Sequence, residues 1–317
     1  MMLPLIAFVL SLLGTRIALT ALSKRGVMDV PNTRSNHKAP VPRGGGIAMV
    51  ASALLFLTLA GMPLTIVCAA LLLAAVSFVD DLKSISVHWR LLAQCIAVAV
   101  ALFGFPALLF PAWLPYVWAW IFLLLFWMWY INLTNFMDGI DGITSMQTIW
   151  TIIGICVIRI LHPALPVSLA LQAGIVGAAT LGFYWFNRSP ARLFMGDVGS
   201  VTLGFLTFYL LLCLALNGEW LAALILPAYY LSDATSTLLT RLMRGEKIWQ
   251  AHSQHAYQQA VRDGLTHTEV VCRISALNIL LIVLAACATM SFCAGLAAIA
   301  LGYLLTALLI RHFRCLP

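Results

Sequence analysis

Residues 118–141 read "WAWIFLLLFWMWYINLTNFMDGID", and this stretch decides the fold class. Its apolar half, residues 118–131, carries no charged side chain and continues an apolar run long enough to approach the roughly 20 residues of a bilayer span. Two asparagines and two aspartates follow within residues 132–141. Because charges beside hydrocarbon are costly, these side chains need a cationic partner or a structural role.

The composition extends this reading to the whole chain. Of its 317 residues, 62% are hydrophobic and only 9% are charged, which is more apolar surface than a water-soluble domain could cover. The sequence predicts an all-α multi-pass integral membrane protein with about eleven transmembrane helices, forming one polytopic domain over residues 1–317. The first run is expected to be a retained span rather than a signal peptide. The predicted spans are 1–22, 44–62, 64–79, 91–110, 114–131, 142–161, 167–186, 199–216, 220–240, 275–293 and 295–311.

The charged residues predict the orientation. With the N-terminus outside, all 18 lysines and arginines except Arg16 and Arg159 lie on the cytoplasmic side or in the C-terminal tail, as the positive-inside rule requires. All 11 acidic residues except Glu219 and Asp233 lie on the same side. A net charge of +7 favours membrane lipids with anionic headgroups, and no nucleic acid is expected as a partner. The active site is therefore predicted at the cytoplasmic ends of the helices.

The first acidic cluster lies in "VDDLKS" (79–84) at the end of the third span. Negative charge at a helix C-terminus opposes the helix dipole, and the adjacent carboxylates of Asp80 and Asp81 repel each other unless a cation is near. A salt bridge with Lys83 or Arg90 is one explanation. Contact with a metal ion or a substrate is the favoured one.

The second cluster is the polar end of the opening stretch. Asn132, Asn135 and Asp138 are spaced by three, so on a helical turn they lie on one surface. Gly139 and Gly142 are expected to let the backbone turn so that Asp141 points elsewhere. Amide and carboxylate oxygens are hard ligands suited to Mg²⁺ or Mn²⁺. The alternative is a turn with Asn and Asp at its bends and a helix cap.

The third cluster is "RSPARLFMGDVGS" (188–200), which precedes an apolar run. Asp197 there is compatible with ordinary helix capping. A glycine-containing helix N-terminus is also a natural phosphate site, and Arg192 adds a cation beside it. The two interpretations are compatible.

Two inner loops add cationic and imidazole donors. The cytoplasmic substrate loop, residues 241–273, is basic and carries His252 and His255; it is predicted to bind anions, since zinc would need further ligands from elsewhere. The first inner loop, residues 24–46, ends in three glycines whose backbone amides are expected to approach a phosphate. Alone, it also fits a basic juxtamembrane loop.

Five motifs occur in one order along the chain, and together they resemble a known family. They are "DVPNTRSNHKAPVPRGGG" (29–46), "VDDLKS" (79–84), "NLTNFMDGIDG" (132–142), "RSPARLFMGDVGS" (188–200) and "AHSQHAYQQ" (251–259). The chain resembles the polyprenyl-phosphate N-acetylhexosamine-1-phosphate transferases, which include the enzymes initiating O-antigen and the phospho-MurNAc-pentapeptide translocase. The resemblance implies transfer of a sugar-1-phosphate from a UDP-N-acetylhexosamine to undecaprenyl phosphate, with release of UMP, in the bacterial inner membrane.

The resemblance also implies roles for individual residues. Asp197 and Asn135 are expected to contact the divalent ion, Mg²⁺ or Mn²⁺, that bridges the pyrophosphate. Four carboxylates are expected to act in catalysis, the first pair where the lipid phosphate meets the ion and the second at the inner loop and nucleotide: Asp80, Asp81, Asp138 and Asp141. Substrate contacts are expected from Asn132, Lys38, Arg43, Arg192, His252 and His255.

One departure from the family pattern narrows the substrate. Where the pentapeptide translocase has neighbouring histidines, this chain has Ser253 and Gln254 between its two, which favours the O-antigen-initiating branch and N-acetylglucosamine or a 6-deoxy-N-acetylhexosamine. Peptidoglycan synthesis is the alternative. A more distant one is an ion-coupled transporter, for which Asp233 inside the ninth span is the relevant feature. The sequence leaves open the sugar, the oligomeric state, and direct displacement against a phospho-aspartate intermediate.

Overall fold

The computed structural model describes residues 2–31, 39–105, 116–247 and 252–316, and most of these residues are helical. A two-residue antiparallel pair, β1 (Met28–Asp29) with β2 (Val41–Pro42), is an addition to the all-α prediction. The helices are α1 Met2–Lys24, α2 Gly46–Leu59, α3 Leu64–Lys83, α4 Val87–Phe103, α5 Tyr116–Phe136, α6 Ile143–Leu161, α7 Val167–Asn187, α8 Gly196–Leu214, α9 Trp220–Ile225, α10 Ala228–Met243, α11 Ala256–Arg262, α12 His267–Ala288 and α13 Phe292–Arg314.

Within the described residues, each predicted apolar run coincides with a helix or a pair of helices. Among the described residues, 8 helical segments are long and apolar enough to cross a membrane, and α2 and α4 are shorter apolar helices. The chain is therefore a multi-pass membrane protein. The predicted ninth span is broken into α9 and α10 at Pro227, whose ring nitrogen lacks the hydrogen needed for a helical bond. The count of eleven spans and the orientation stay predictions.

Helix α8 is the central span. It packs against α3 and α5 as well as α2, and nearly all of its side chains are buried. By contrast, large apolar side chains of α1 and α13, such as Leu13 and Leu304, are exposed, as expected for surfaces that face lipid. The N-terminus of α8, which carries Asp197, therefore lies at the centre of one end of the bundle.

Two glycines allow α2 and α8 to touch at this end. A Cβ atom on Gly46 would lie 2.5 Å from the Cα of Gly199 and 2.8 Å from the carbonyl oxygen of Met195. The amide of Gly46 donates to that same carbonyl at 2.9 Å. Small residues allow close backbone approach between membrane helices, so this contact fixes the start of α8 against the first inner loop.

Gly46→Ala is expected to lower stability, because the added methyl group must push backbone away from backbone. Overpacking of this kind costs about 1–3 kcal/mol. Thermal unfolding in detergent should show a lower midpoint for Gly46→Ala than for the natural protein. Ala51→Val, which also enlarges α2 but at an exposed position, is the matched control. Equal midpoints for the two variants would contradict the close contact.

Candidate active site

A cavity of about 540 Å³ opens where the C-terminal ends of α3 and α5 meet the N-terminal ends of α4 and α8. Its walls come from these four helices, from α10 and from the loop before α11. The polar side chains that line it are Ser77, Arg90, Gln94, Asn132, Asn135, Asp197, His252 and His255. Five of the twelve sequence-predicted site residues thus share one cavity: Asn132, Asn135, Asp197, His252 and His255.

Much of the remaining wall is apolar. Leu73 and Val76 of α3, Trp129 of α5 and Leu238 of α10 are among the residues that line the cavity. The indole N–H of Trp129 is occupied, since it donates to the hydroxyl of Thr235 at 3.2 Å. The cavity therefore combines a polar end rich in hydrogen-bonding groups with an apolar wall.

Asp81 organises the start of α8. Its side chain is 1% exposed and accepts the backbone N–H of Asp197 and that of Val198, each at 3.0 Å. These are orphan donors of a helix N-terminus, where a negative charge is also favoured by the helix dipole. Arg43 lies 3.1 Å from the same carboxylate. Asp81 thus caps α8 from another helix and ties the first inner loop to it.

Gly196 makes this capping possible. Its φ of +72° is in the left-handed region that favours glycine. A Cβ atom there would lie 2.5 Å from Oδ2 of Asp81. Glycine at position 196 is therefore required for steric reasons, while Asp197 next to it supplies a carboxylate to the cavity.

Asp80 and Asp197 are joined through one guanidinium group. Nη1 of Arg90 lies 2.9 Å from Oδ2 of Asp80 and 3.2 Å from Oδ2 of Asp197. Asp80 also accepts the backbone N–H of Ile85, which fixes the turn from α3 into α4. Each of the two adjacent carboxylates therefore has its own cationic partner. Asp80 pairs with Arg90, and Asp81 pairs with Arg43.

The two asparagines of α5 differ in their contacts. The side-chain amide of Asn132 donates to Oε1 of Gln94 and to the carbonyl oxygen of Met128, both at 2.7 Å. Its N–H groups are therefore already bound within the wall. Asn135 lies about one turn later and lines the same cavity as Asp197.

Asp138 and Asp141 lie outside the set of cavity-lining residues. Burial, opposed by a hydrogen bond from Thr144 and assisted by the neighbouring carboxylates of Asp197 and Asp81, raises the pKa of Asp138 to about 8. Asp138 is therefore largely protonated at neutral pH in this arrangement. Its predicted role in catalysis stays a prediction.

Asp141 contacts the next two inner segments. Its Oδ2 accepts the backbone N–H of Ala191 at 3.0 Å and lies 3.2 Å from Nδ1 of His267 at the start of α12. Burial opposes the charge on Asp141, but the hydrogen bond from His267 and its charge hold the pKa of the carboxyl below its usual value. Asp141 thus joins three inner segments, and a direct substrate contact stays a prediction.

The two histidines form one wall of the cavity. The ring centroids of His252 and His255 are 4.8 Å apart, and His255 stacks on Tyr257 at 5.9 Å. Burial lowers the pKa of each imidazole to about 4, with smaller contributions from neighbouring cations. Both rings are therefore neutral at pH 7 and offer one N–H each.

The basic residues of the inner loops are placed differently from one another. Arg43 pairs with Asp81, whereas Arg192 is exposed, stacks on Phe186 and donates to the carbonyl oxygen of Trp185. Arg192 is not among the residues lining the described cavity. Lys38 lies outside the described residues. Substrate binding by these three stays a prediction.

The expectation that the first-loop glycine amides face a phosphate is wrong for two of the three glycines. Gly45 donates to the carbonyl oxygen of Phe194 and Gly46 to that of Met195, each at 2.9 Å. These amides hold the loop before α8 in place. They are consequently bonded within the protein rather than open to a ligand.

The match to a known family covers the centre of this site. Residues 63–215 match the family described as glycosyl transferase family 4. This segment runs from α3 to the turn after α8 and contains both carboxylate pairs, both asparagines and Asp197. Over residues 63–215 the chain is similar to glycosyl transferase family 4.

Several curated transferases are similar to this chain. A probable undecaprenyl-phosphate N-acetylglucosaminyl 1-phosphate transferase of Bacillus subtilis is 27% identical over 301 residues, which covers 87% of this chain and 81% of that protein. A phospho-N-acetylmuramoyl-pentapeptide-transferase of Streptococcus uberis is 36% identical over 142 residues, covering 44% of this chain and 39% of that protein. One from Lactococcus lactis subsp. cremoris is 35% identical over 119 residues, covering 38% and 35%. These two alignments span less than half of either partner.

The residues of this site fit a magnesium ion of the kind that is held partly by substrate phosphates. Among the described residues there is no group of three His, Cys, Asp or Glu side chains arranged to hold a metal. Mg²⁺, however, is commonly bound by one or two carboxylates together with substrate phosphates and water. Asp197 and Asn135 supply hard oxygen atoms to one cavity, and Asp80 is linked to Asp197 through Arg90.

Several residues at this site were not predicted to be functional. Gln94 and Trp129 line the cavity, Arg90 bridges two carboxylates, and His267 pairs with Asp141. The role of Arg90 was predictable, because it is a cation in the first turn of the helix that follows the acidic "VDDLKS" motif. Nothing in the sequence distinguishes Gln94 or Trp129 from ordinary residues of an apolar span.

Proposed function

We propose that the protein transfers an N-acetylhexosamine-1-phosphate from a UDP-sugar to undecaprenyl phosphate and releases UMP, at the cytoplasmic face of the bacterial inner membrane. One observation carries this proposal: the same cavity has a polar end with Asp197, Asn135 and Arg90 and an apolar wall that includes Trp129 and Leu238. The chain of a lipid-anchored phosphate needs an apolar wall, and a nucleotide diphosphate needs polar and charged groups. The cavity offers both within about 540 Å³.

The proposed reaction exchanges one pyrophosphate bond for another. An oxygen of the lipid phosphate attacks the phosphorus atom that bears the sugar, and the bond from that phosphorus to the bridging oxygen breaks. UMP leaves with the bridging oxygen and its electron pair. The second pKa of a phosphate monoester is roughly 6, so the lipid phosphate is largely ionised at neutral pH and needs positioning more than proton removal.

The protein's task is to bring two anions together. Arg90 places a positive charge in the lining of the cavity, and the neutral imidazole rings of His252 and His255 line the same space. Mg²⁺ bound through Asp197 and Asn135 would supply additional positive charge to the phosphate oxygens. Asp81 contributes indirectly, because it holds the backbone that carries Asp197.

The branch of the family is the finer part of the proposal. The relative that aligns along 87% of this chain is a probable N-acetylglucosaminyl 1-phosphate transferase, and the histidines here are separated by Ser253 and Gln254. Both observations support an enzyme that begins O-antigen or another surface glycan with N-acetylglucosamine or a 6-deoxy-N-acetylhexosamine. The 36% identity to a pentapeptide-transferase over the central segment supports the second candidate, which is peptidoglycan synthesis.

A side-by-side assay tests both candidates. Membranes that contain the protein are incubated with undecaprenyl phosphate, Mg²⁺ and one labelled UDP-sugar at a time, including UDP-N-acetylglucosamine and UDP-MurNAc-pentapeptide. We expect label in the lipid fraction and an equal amount of UMP with a UDP-N-acetylhexosamine. Membranes from cells without the protein are the control.

The outcomes separate the functional classes. Lipid-linked pentapeptide product would assign the protein to peptidoglycan synthesis instead. Uptake of label into sealed vesicles without a lipid-linked product would overturn the transferase proposal in favour of transport. Transfer that persists after removal of Mg²⁺ and Mn²⁺ by a chelator would contradict the proposed metal dependence.

A further inference from the structure

A buried carboxylate outside the cavity fixes the segment that carries the histidines. Asp233 of α10 is 0% exposed. It accepts the backbone N–H of Ala256 at 2.9 Å and that of Tyr257 at 3.4 Å, which are the first two residues of α11. A carboxylate that accepts orphan N–H groups at a helix N-terminus acts as a cap. Asp233 therefore does for α11 what Asp81 does for α8.

The last helix completes this contact. Nη2 of Arg314, at the end of α13, donates to the hydroxyl of Thr237 at 2.8 Å and lies 3.7 Å from Oδ1 of Asp233. It also lies 3.4 Å from the hydroxyl of Ser236. Thr237 in turn donates to Asp233 at 3.2 Å. A single nitrogen of the C-terminal helix thus neutralises the buried carboxylate.

The position of His255 depends on this arrangement. His255 directly precedes α11 and is 2% exposed. Among the described residues, its Nδ1 has no hydrogen-bond partner, and this atom lies 4.0 Å from Oδ1 of Asp233. The His255 ring stacks on Tyr257, and its backbone directly precedes the capped helix, so both contacts help to place it.

We propose that Asp233 and Arg314 are positioning residues that hold α11, and with it His252 and His255, against the reaction cavity. The end of the last helix then sets the geometry of a loop more than 50 residues away in sequence. The kinetic half of this proposal rests on the proposed transfer reaction. The structural half, the fixing of α11, does not.

The test uses the full-length protein in detergent or nanodiscs. Arg314→Met removes the donor nitrogen, Arg314→Lys returns a cation, and Arg311→Met changes an exposed arginine of the same helical turn as the control. Backbone amide hydrogen exchange is measured by mass spectrometry for the peptide spanning 252–262. Transfer kinetics are measured with the UDP-sugar as the varied substrate.

We expect faster exchange in the 252–262 peptide for Arg314→Met and no change for Arg311→Met. We expect kcat to fall by about tenfold or more, because small displacements of reacting groups are costly. KM for the UDP-sugar should stay within about twofold. Arg314→Lys should recover much of the loss, since within the described part of the chain one nitrogen of Arg314 makes the hydrogen bonds and the ion pair.

Two results would overturn the proposal. One is unchanged exchange in Arg314→Met; the other is faster exchange with kcat equal to that of Arg311→Met. If Arg314→Met does not fold, Thr237→Val takes its place, because it removes the hydroxyl between Arg314 and Asp233 while both charges remain. If the natural protein transfers no sugar phosphate, the proposed function fails while the exchange experiment still decides whether α11 is fixed in this way.

Discussion

Asp197→Asn and Asn135→Ala are each expected to abolish sugar-phosphate transfer while the amount of protein in the membrane stays unchanged. Asp197 and Asn135 line the cavity with hard oxygen atoms, which suit Mg²⁺. Loss of a ligand to an ion that stabilises transition-state charge by about 4 kcal/mol lowers the rate on the order of 10³-fold. Turnover of labelled UDP-sugar into lipid product, normalised to protein level, measures the effect.

Protein levels should be unaffected because neither side chain caps a helix. The side chain of Asp197 is 23% exposed, and its backbone N–H remains bonded to Asp81 in the variant. Asp263→Asn and Asn217→Ala make the same chemical changes at exposed positions and should retain full activity. Activity of Asp197→Asn and Asn135→Ala near that of these controls would remove both residues from the metal site.

The helices were predictable because lipid imposes a simple length and polarity rule on each span. The ends of the helices were harder to predict, because local hydrogen bonds extend helices beyond the apolar run. Helix α12 was expected near residue 275 and begins at His267. Thr266 accepts the N–H of Glu269, and the Glu269 carboxylate accepts that of Thr266, which starts the helix eight residues earlier.

The sequence predicted which residues gather at the site, but it did not predict which partner each of them contacts. Convergence of Asn132, Asn135 and Asp197 followed from their positions at helix ends on one side of the membrane. The separate contacts of Asp80 and Asp81 did not, because adjacent residues on a helix point in different directions. Their partners Arg90, Arg43 and Val198 are fixed only by tertiary packing.

The role of Asp233 shows the same limit. As an acid within an apolar run, Asp233 was the residue relevant to an ion-coupled transporter. In the folded chain it is fully buried and its partners come from α11 and α13. Such long-range pairings have no signature in hydrophobic periodicity.

Asp81→Asn is expected to damage both folding stability and activity, in contrast to Asp197→Asn. The carboxylate of Asp81 uses both oxygens to accept N–H groups from Asp197 and Val198. An amide has one oxygen, so its NH₂ group would face a donor. An unsatisfied buried group costs about 1–3 kcal/mol, and the ion pair with Arg43 is lost as well.

Activity should fall because the start of α8 carries Asp197. A displacement of this turn moves the proposed metal ligand relative to Asn135 and Arg90, and misplacement by about 1 Å can cost on the order of 10²-fold in rate. Thermal unfolding and transfer are measured for Asp81→Asn beside Asp263→Asn, an exposed aspartate with the same change. An unfolding midpoint equal to that of the control, with activity lost, would mean that Asp81 acts on the substrates directly. Full activity with a lower midpoint would mean that the turn before α8 tolerates movement, and the link between capping and catalysis would then be wrong.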